Sequence, residues 1–324
     1  MKMKKFVLIV AALVIAVSCK EEDKKESEIA AIPIEKVTID RFEKKFFGGT
    51  PDDLPQLKSE YPYFFPEGNE DAVWLEMMRD TFQLELYNEV QRKFPTVNGL
   101  EKDFEELFKH IKYYYPNFES PKVITLVSDD LQTKAIYAQG FVLIPLSLYL
   151  GADNSLYDYE ELPRYKVLQF TPSQILPDVA TSFVSGKIAP PRDRTLLALM
   201  VYYGKELYMQ DLLLPGITDA DKIGYTPEHL QWAQENESEM WRYFVDKNLL
   251  YDTDSKLAPR FINPAPFSKF YLELDNESPG RLGRWLGWQI VRAYAENNKN
   301  VTLQELLAMD AKTIFENSKY KPKK

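Results

Sequence analysis

The residues with the most chemical promise are Lys205, Glu206 and Met209, in the run Gly204-Lys205-Glu206-Leu207-Tyr208-Met209. Lys-Glu-x-x-Met has the spacing of the zinc-binding pattern His-Glu-x-x-His, in which side chains at i and i+4 clasp the metal while the glutamate deprotonates its bound water. Lys205 brings a positive charge where a neutral nitrogen is required, and Met209 a soft thioether unsuited to catalytic zinc. Glu206 alone cannot hold a metal, so no metal and no other cofactor is expected. The run lies within Thr195 to Pro215, a helical stretch whose first half is apolar on every side, and such a helix belongs inside a domain.

Other chemistries find less support. The two histidines, His110 and His229, have no second His or Cys at ligand spacing, and nothing sets either beside an activated serine. There is no G-x-S-x-G elbow, Walker loop or G-x-G-x-x-G turn. Glu206 with Glu239, or a cluster from Asp158 to Glu161, could be paired as glycosidase acids. In a chain with 49 acidic residues such a pairing carries little information, because the separation that decides the chemistry is not in the sequence.

The elements that must position these residues read as follows. Ile32 to Phe42 alternates like an edge strand. Asp71 to Phe94 and Asn98 to Tyr114 carry apolar residues at spacings of three and four, hence two helices, with Asn98 as cap of the second. Val123 to Val127, Lys134 to Gln139 and Gly140 to Leu150 follow as short β-rich runs, expected to form an antiparallel meander. Gly151 to Tyr165 reads as a loop. Helices are expected after Thr171-Pro172-Ser173, after Asp193 as cap, after Thr226-Pro227-Glu228, after Ser278-Pro279-Gly280 and after Thr302. The Thr226 helix carries Glu235, Glu237 and Glu239 as one element. Gly283 and Gly287, one turn apart, would let another backbone approach. The fold class is therefore α+β, mostly helical with a small sheet, and no linker after residue 30 divides residues 31–324 into more than one domain.

Composition sets the outer bounds. With 324 residues, 45% hydrophobic and 27% charged, the chain is apolar enough to fold around a core. Lys2, Lys4 and Lys5 precede an apolar run from Phe6 to Val17, then Ser18 and the single cysteine, Cys19. That run is far short of the roughly 20 residues a spanning helix needs, so residues 1–18 are expected to be a cleaved signal peptide. Losing three lysines with it moves the formal charge from −9 to −12, which argues against a nucleic-acid partner. Ser18-Cys19 resembles the lipobox of bacterial lipoproteins, with Cys19 acylated and residues 19–30 a charged tether. Lys20-Glu21-Glu22-Asp23 is similar to the short surface-export signal of Bacteroidetes lipoproteins.

Taken together, Cys19, Val37 to Phe47, Leu146 to Gly151, Tyr202 to Glu206, Leu212 to Pro215 and Ser278 to Tyr294 (SPGRLGRWLGWQIVRAY) resemble the GldB family of gliding-motility lipoproteins. The resemblance implies a non-enzymatic, lipid-anchored protein of the cell envelope, required for gliding and partnered by other gliding and type IX secretion proteins. It implies a zincin-like scaffold without an intact metal site, with Lys205 and Met209 in ligand positions beside Glu206 and Glu239 near a third. An acidic residue implied before the Tyr-Leu-Gly piece is Ser147 here. The residues leave two other readings open: an envelope hydrolase using Glu206, and a glycan-binding surface lipoprotein suggested by the many Tyr and Trp residues.

Overall fold

The computed structural model describes residues 24–138, 140–158, 162–272 and 275–323. Cys19 and the export-signal positions Lys20, Glu21, Glu22 and Asp23 lie outside these, as do residues 159–161 of the acidic cluster. The fold is α+β, mostly helical with one four-stranded sheet. Among the described residues no helix is long and apolar enough to cross a membrane. Helical structure begins at residues 24–30, inside the stretch read as tether. Ile29 is only 1% exposed there, Lys25 lies over the Tyr114 ring and Tyr113 donates to Glu28.

The sheet comprises β1 (Ile39–Arg41), β2 (Lys122–Leu126), β3 (Ile136–Ala138) and β4 (Phe141–Pro145), in the order β1-β2-β4-β3. It is not the antiparallel meander expected. β1 pairs parallel with β2, β2 pairs parallel with β4, and only β3 and β4 run antiparallel. The reason lies in β2, whose Val123, Ile124 and Thr125 are buried in succession, as in a central strand covered on both faces. β1 is an edge strand, though far shorter than Ile32 to Phe42. The backbone N–H groups of Val37 and Ile39 donate to the carboxylates of Glu105 and Glu101 on a neighbouring helix.

The helices that frame the interior are α1 (Thr81–Lys93), α2 (Asn98–Tyr114), α3 (Ile175–Ser185), α4 (Leu196–Leu213) and α5 (Asp219–Ile223). They continue with α6 (Pro227–Glu235), α7 (Glu237–Asp246), α8 (Leu282–Asn297), α9 (Leu303–Ala308) and α10 (Ala311–Ser318). Several boundaries differ from expectation, most of them because polar side chains claim helix ends. Asp71 to Phe94 is two helices, since Asp80 accepts from Gln83 N and caps α1 behind the separate helix Asp71–Met77. Val97, not Asn98, occupies the cap position of α2. Thr195 caps α4, accepting from Ala198 N, while Asp193 holds the Thr195 hydroxyl. The Thr226 helix breaks at Asn236, whose side chain donates to the Trp232 carbonyl, so Glu235 and Glu239 lie on different helices. Thr302 caps α9 in a reciprocal box with Glu305.

α4 is the central helix, buried on nearly every side, and α8 is its closest neighbour. The two touch backbone to backbone. A Cβ at Gly287 would sit 1.8 Å from the Met200 carbonyl oxygen, and one at Gly204 would sit 2.4 Å from the Gly287 carbonyl. Only glycine fits at this crossing. Gly283 plays the same part toward Phe261 and Ile262. The seam is flanked by fully buried Trp285 and Trp288, whose rings meet edge-to-face at 5.7 Å.

Candidate functional site

The faces of α4 separate the residues that the sequence groups together. Lys205 and Met209, one turn apart, face the interior away from Glu206. The Lys205 ammonium donates to the carbonyls of Leu307 (2.9 Å) and Met309 (2.6 Å), tying α4 to the α9–α10 junction. Burial lowers its pKa to about 8, against the pull of Asp310. Met209 is fully buried core. Glu239 does not join them: it is exposed on α7, paired with Arg242 at 2.6 Å, and lines a separate cavity with Trp232 and Tyr243. His110 is a core histidine whose Nδ1 lies 3.0 Å from the Leu212 carbonyl, and burial lowers its pKa. Ser147, also buried, donates to the Ser128 carbonyl and accepts from Ser128 N, a turn-closing role. Among the described residues no cluster of three or more His, Cys, Asp or Glu side chains is placed to hold a metal.

The other face of α4 presents Tyr203, Glu206, Leu207 and Gln210, at the i, i+3, i+4, i+7 spacing of a single stripe, to a cavity of about 220 Å³. Opposite stand Lys134, Asp178 of α3, Lys222 of α5, and Arg281 and Arg284 at the start of α8. Most of these charges are matched. Lys134 pairs with Asp178 at 2.9 Å, and Asp178 also accepts from the Tyr149 hydroxyl. Lys222 pairs with Asp211 at 3.0 Å. Arg292 in turn clamps both Asp211 and Asp219, while Trp288 Nε1 donates to Asp211 at 2.8 Å.

Arg281, Arg284 and Glu206 are not matched in this way. Arg284 lies over the Tyr203 ring at 3.8 Å and donates through Nε to the Ile262 carbonyl at 2.7 Å. Arg281 donates through Nη2 to the Gly224 carbonyl at 2.9 Å. Among the described residues no carboxylate lies within salt-bridge distance of either guanidinium, and both terminal nitrogens of Arg284 lack protein acceptors. Burial lowers both arginines, Arg281 to about 10 with Arg284 adding repulsion, so both stay charged at neutral pH. Glu206 is 8% exposed and accepts no hydrogen bond from the described residues. Burial raises its pKa to about 7, opposed by Arg284. One end of the Gln210 amide, Nε2, donates to Thr181 Oγ1, and the other, Oε1, is buried without a partner. Arg281 holds a left-handed conformation at φ 62°, costing roughly 1–2 kcal/mol that its contacts must offset.

Arg281 and Arg284 are the cavity-lining residues that sequence reasoning missed. Their signal was present: two arginines three apart, opening a largely buried helix, opposite a lone glutamate on an apolar one. Chemically, the arrangement can hold an anionic group and can exchange a proton through Glu206 near neutral pH.

Comparison with characterised proteins found no match, and comparison with solved structures found none either. A family model described as gliding motility protein GldB matches residues 22–322, which takes in every element described above. The chain therefore belongs to the GldB family of gliding-motility lipoproteins.

Proposed function

We propose that this chain is a non-catalytic lipoprotein of the cell envelope, anchored through Cys19, that is required for gliding and works with the type IX secretion and motility apparatus through protein contacts. The observation that carries the reading is the family match across residues 22–322. The roles of Lys205 and Met209 support its non-catalytic part, since one ties carbonyls together and the other fills the core. In this reading the scaffold is a zincin-like one whose ligand positions serve packing. The test is a clean deletion strain, expected to lose spreading on agar and to retain type IX cargo inside the cell. Intact gliding together with intact secretion would sink the proposal. Cys19→Ala should move the protein from the membrane to the soluble fraction, and unchanged membrane attachment would end the lipid-anchor claim. Neutralising Lys20, Glu21, Glu22 and Asp23 should change which face of the envelope it occupies, read by protease accessibility on intact cells.

One observation favours a second reading, an envelope hydrolase using Glu206: a carboxyl that titrates near neutrality beside Arg284 in a cavity suits general acid–base work. Complementation with Glu206→Gln separates the two. Normal gliding at normal abundance favours the non-catalytic role, and loss of gliding at normal abundance favours the hydrolase.

A further inference from the structure

The cavity beside α4 holds an imbalance that the fold does not correct. Once Lys134 is assigned to Asp178, and Lys222 and Arg292 to Asp211 and Asp219, two guanidiniums remain against one carboxyl. Both guanidiniums are half-buried, so they are partly withdrawn from water while no carboxylate pairs with them directly, and an incoming anion would supply that counter-charge. The terminal nitrogens of Arg284 and the start of α8, with its partial positive charge, face the same space. Stacking on Tyr203 fixes the Arg284 plane, leaving the fork that recognises carboxylates and phosphates in pairs of hydrogen bonds.

We propose that this cavity is an anion-binding site that takes a compact oxyanion group, either a planar carboxylate or a tetrahedral phosphate- or sulfate-like group, between Arg281 and Arg284, with Glu206 as the proton-controlled opponent of binding. Its volume of about 220 Å³ suits a small molecule or one anionic group of a larger one. Glu206 faces Lys134 from the loop before β3, Asp178 from α3, Tyr203 on its own helix, Lys222 from α5, and Arg281 and Arg284 from α8. With Glu206 ionised the anion meets a like charge. With Glu206 protonated it meets two cations and a donor. Binding should therefore weaken as pH rises through about 7, the value at which burial sets Glu206.

The experiment is isothermal titration calorimetry on the purified full-length lipoprotein with oxalate and with sulfate, whose charges are constant in the working range. Thermal melts are run in parallel. Binding of at least one probe is expected, and its affinity should fall about tenfold between about pH 6 and pH 8, as the competent fraction of a group titrating near 7 falls. Glu206→Gln should abolish that dependence and bind about tenfold more tightly than the parent at pH 8, a gain that an unfolded chain cannot produce. Arg284→Gln and Arg281→Gln should each weaken binding about tenfold or more, by loss of a charge-assisted hydrogen bond. Preference for oxalate assigns a carboxylate ligand, and preference for sulfate a tetrahedral one. Absence of heat and of thermal stabilisation with both probes at pH 6 overturns the proposal, as does binding that Glu206→Gln leaves unchanged. Neither result bears on gliding or membrane attachment, so this inference and the proposed function fail separately.

Discussion

Replacing Gly287 by alanine tests the central packing of the molecule and, through it, the cavity. The added Cβ would lie 1.8 Å from the Met200 carbonyl oxygen and 3.0 Å from Met200 Cα, and its opponents are backbone atoms of a helix buried all round. Neither side has a flexible tip to bend away, so α4 and α8 must part by more than about 1 Å to reach ordinary contact. A gap of that size forfeits roughly half of the dispersion attraction of each atom pair along the seam. The cost falls at or beyond the upper end of overpacking changes, about 3 kcal/mol. In a chain of this size that lowers the melting midpoint by about 6–12 °C, read by circular dichroism and by urea titration. Gly99→Ala is the control, because its Cβ meets nothing within 4 Å near the start of α2, and it should be neutral or gain up to about 1 kcal/mol. Gly204→Ala probes the same contact from the other side, so the double variant should cost clearly less than the two single changes added together. If Gly287→Ala melts within about 2 °C of the parent, the close-crossing argument is wrong.

Three further outcomes follow from the same geometry. The carboxyl of Glu206 is held well above its ordinary 4.5, at about 7, so the folded chain binds a proton that the unfolded chain releases. Its stabilising contribution is full below about pH 4.5 and lost as pH rises through about 7, so Glu206→Gln should exceed the parent by on the order of 2 kcal/mol at pH 8 and by little at pH 5. Equal pH profiles for the two proteins in urea titrations would contradict this. Lys205→Met removes a buried ammonium but strands the Leu307 and Met309 carbonyls, and should cost about 1–3 kcal/mol in urea unfolding at pH 7, where a substituted ligand relic would cost nothing. Asp211→Asn removes the charge and one of the two acceptor oxygens shared by Arg292, Lys222 and Trp288, and should cost about 2–4 kcal/mol; a loss under about 0.5 kcal/mol would show the network to be ornamental.

What the sequence revealed and what it hid divide along physical lines. Signals complete within a few residues carried over directly: Thr226-Pro227-Glu228 and Thr302 open helices where expected, and Gly287 meets a backbone. Apolar periodicity placed α2 and α4 to within a residue or two but ran across Met78 to Asp80 and Asn236, because the stripe continues while the backbone turns. Strand direction was hidden because Val123 to Leu126 looks the same in either orientation, and one of its partners, β1, lies far away along the chain. The cavity was harder still. Glu206 drew notice for its neighbours Lys205 and Met209, whereas its environment comes from Arg281 and Arg284, more than seventy residues on. Charge pairing is a property of the folded interior, and only there does it emerge that Lys134 and Lys222 are satisfied while the two arginines are not.

The docked segment at residues 24–30 sets a length scale for the lipidated form. In the proposed form anchored through Cys19, five residue steps would separate the anchor from Lys24, a leash of at most about 18 Å when fully extended. Ile29 in the core and Lys25 on Tyr114 stop it from paying out further. The domain would then ride against whichever membrane face carries the anchor, with the Tyr113–Tyr114 end of α2 nearest the headgroups. Any partner must come to the membrane to meet it, and inserting a flexible spacer between Asp23 and Lys24 would measure how much its work depends on that proximity.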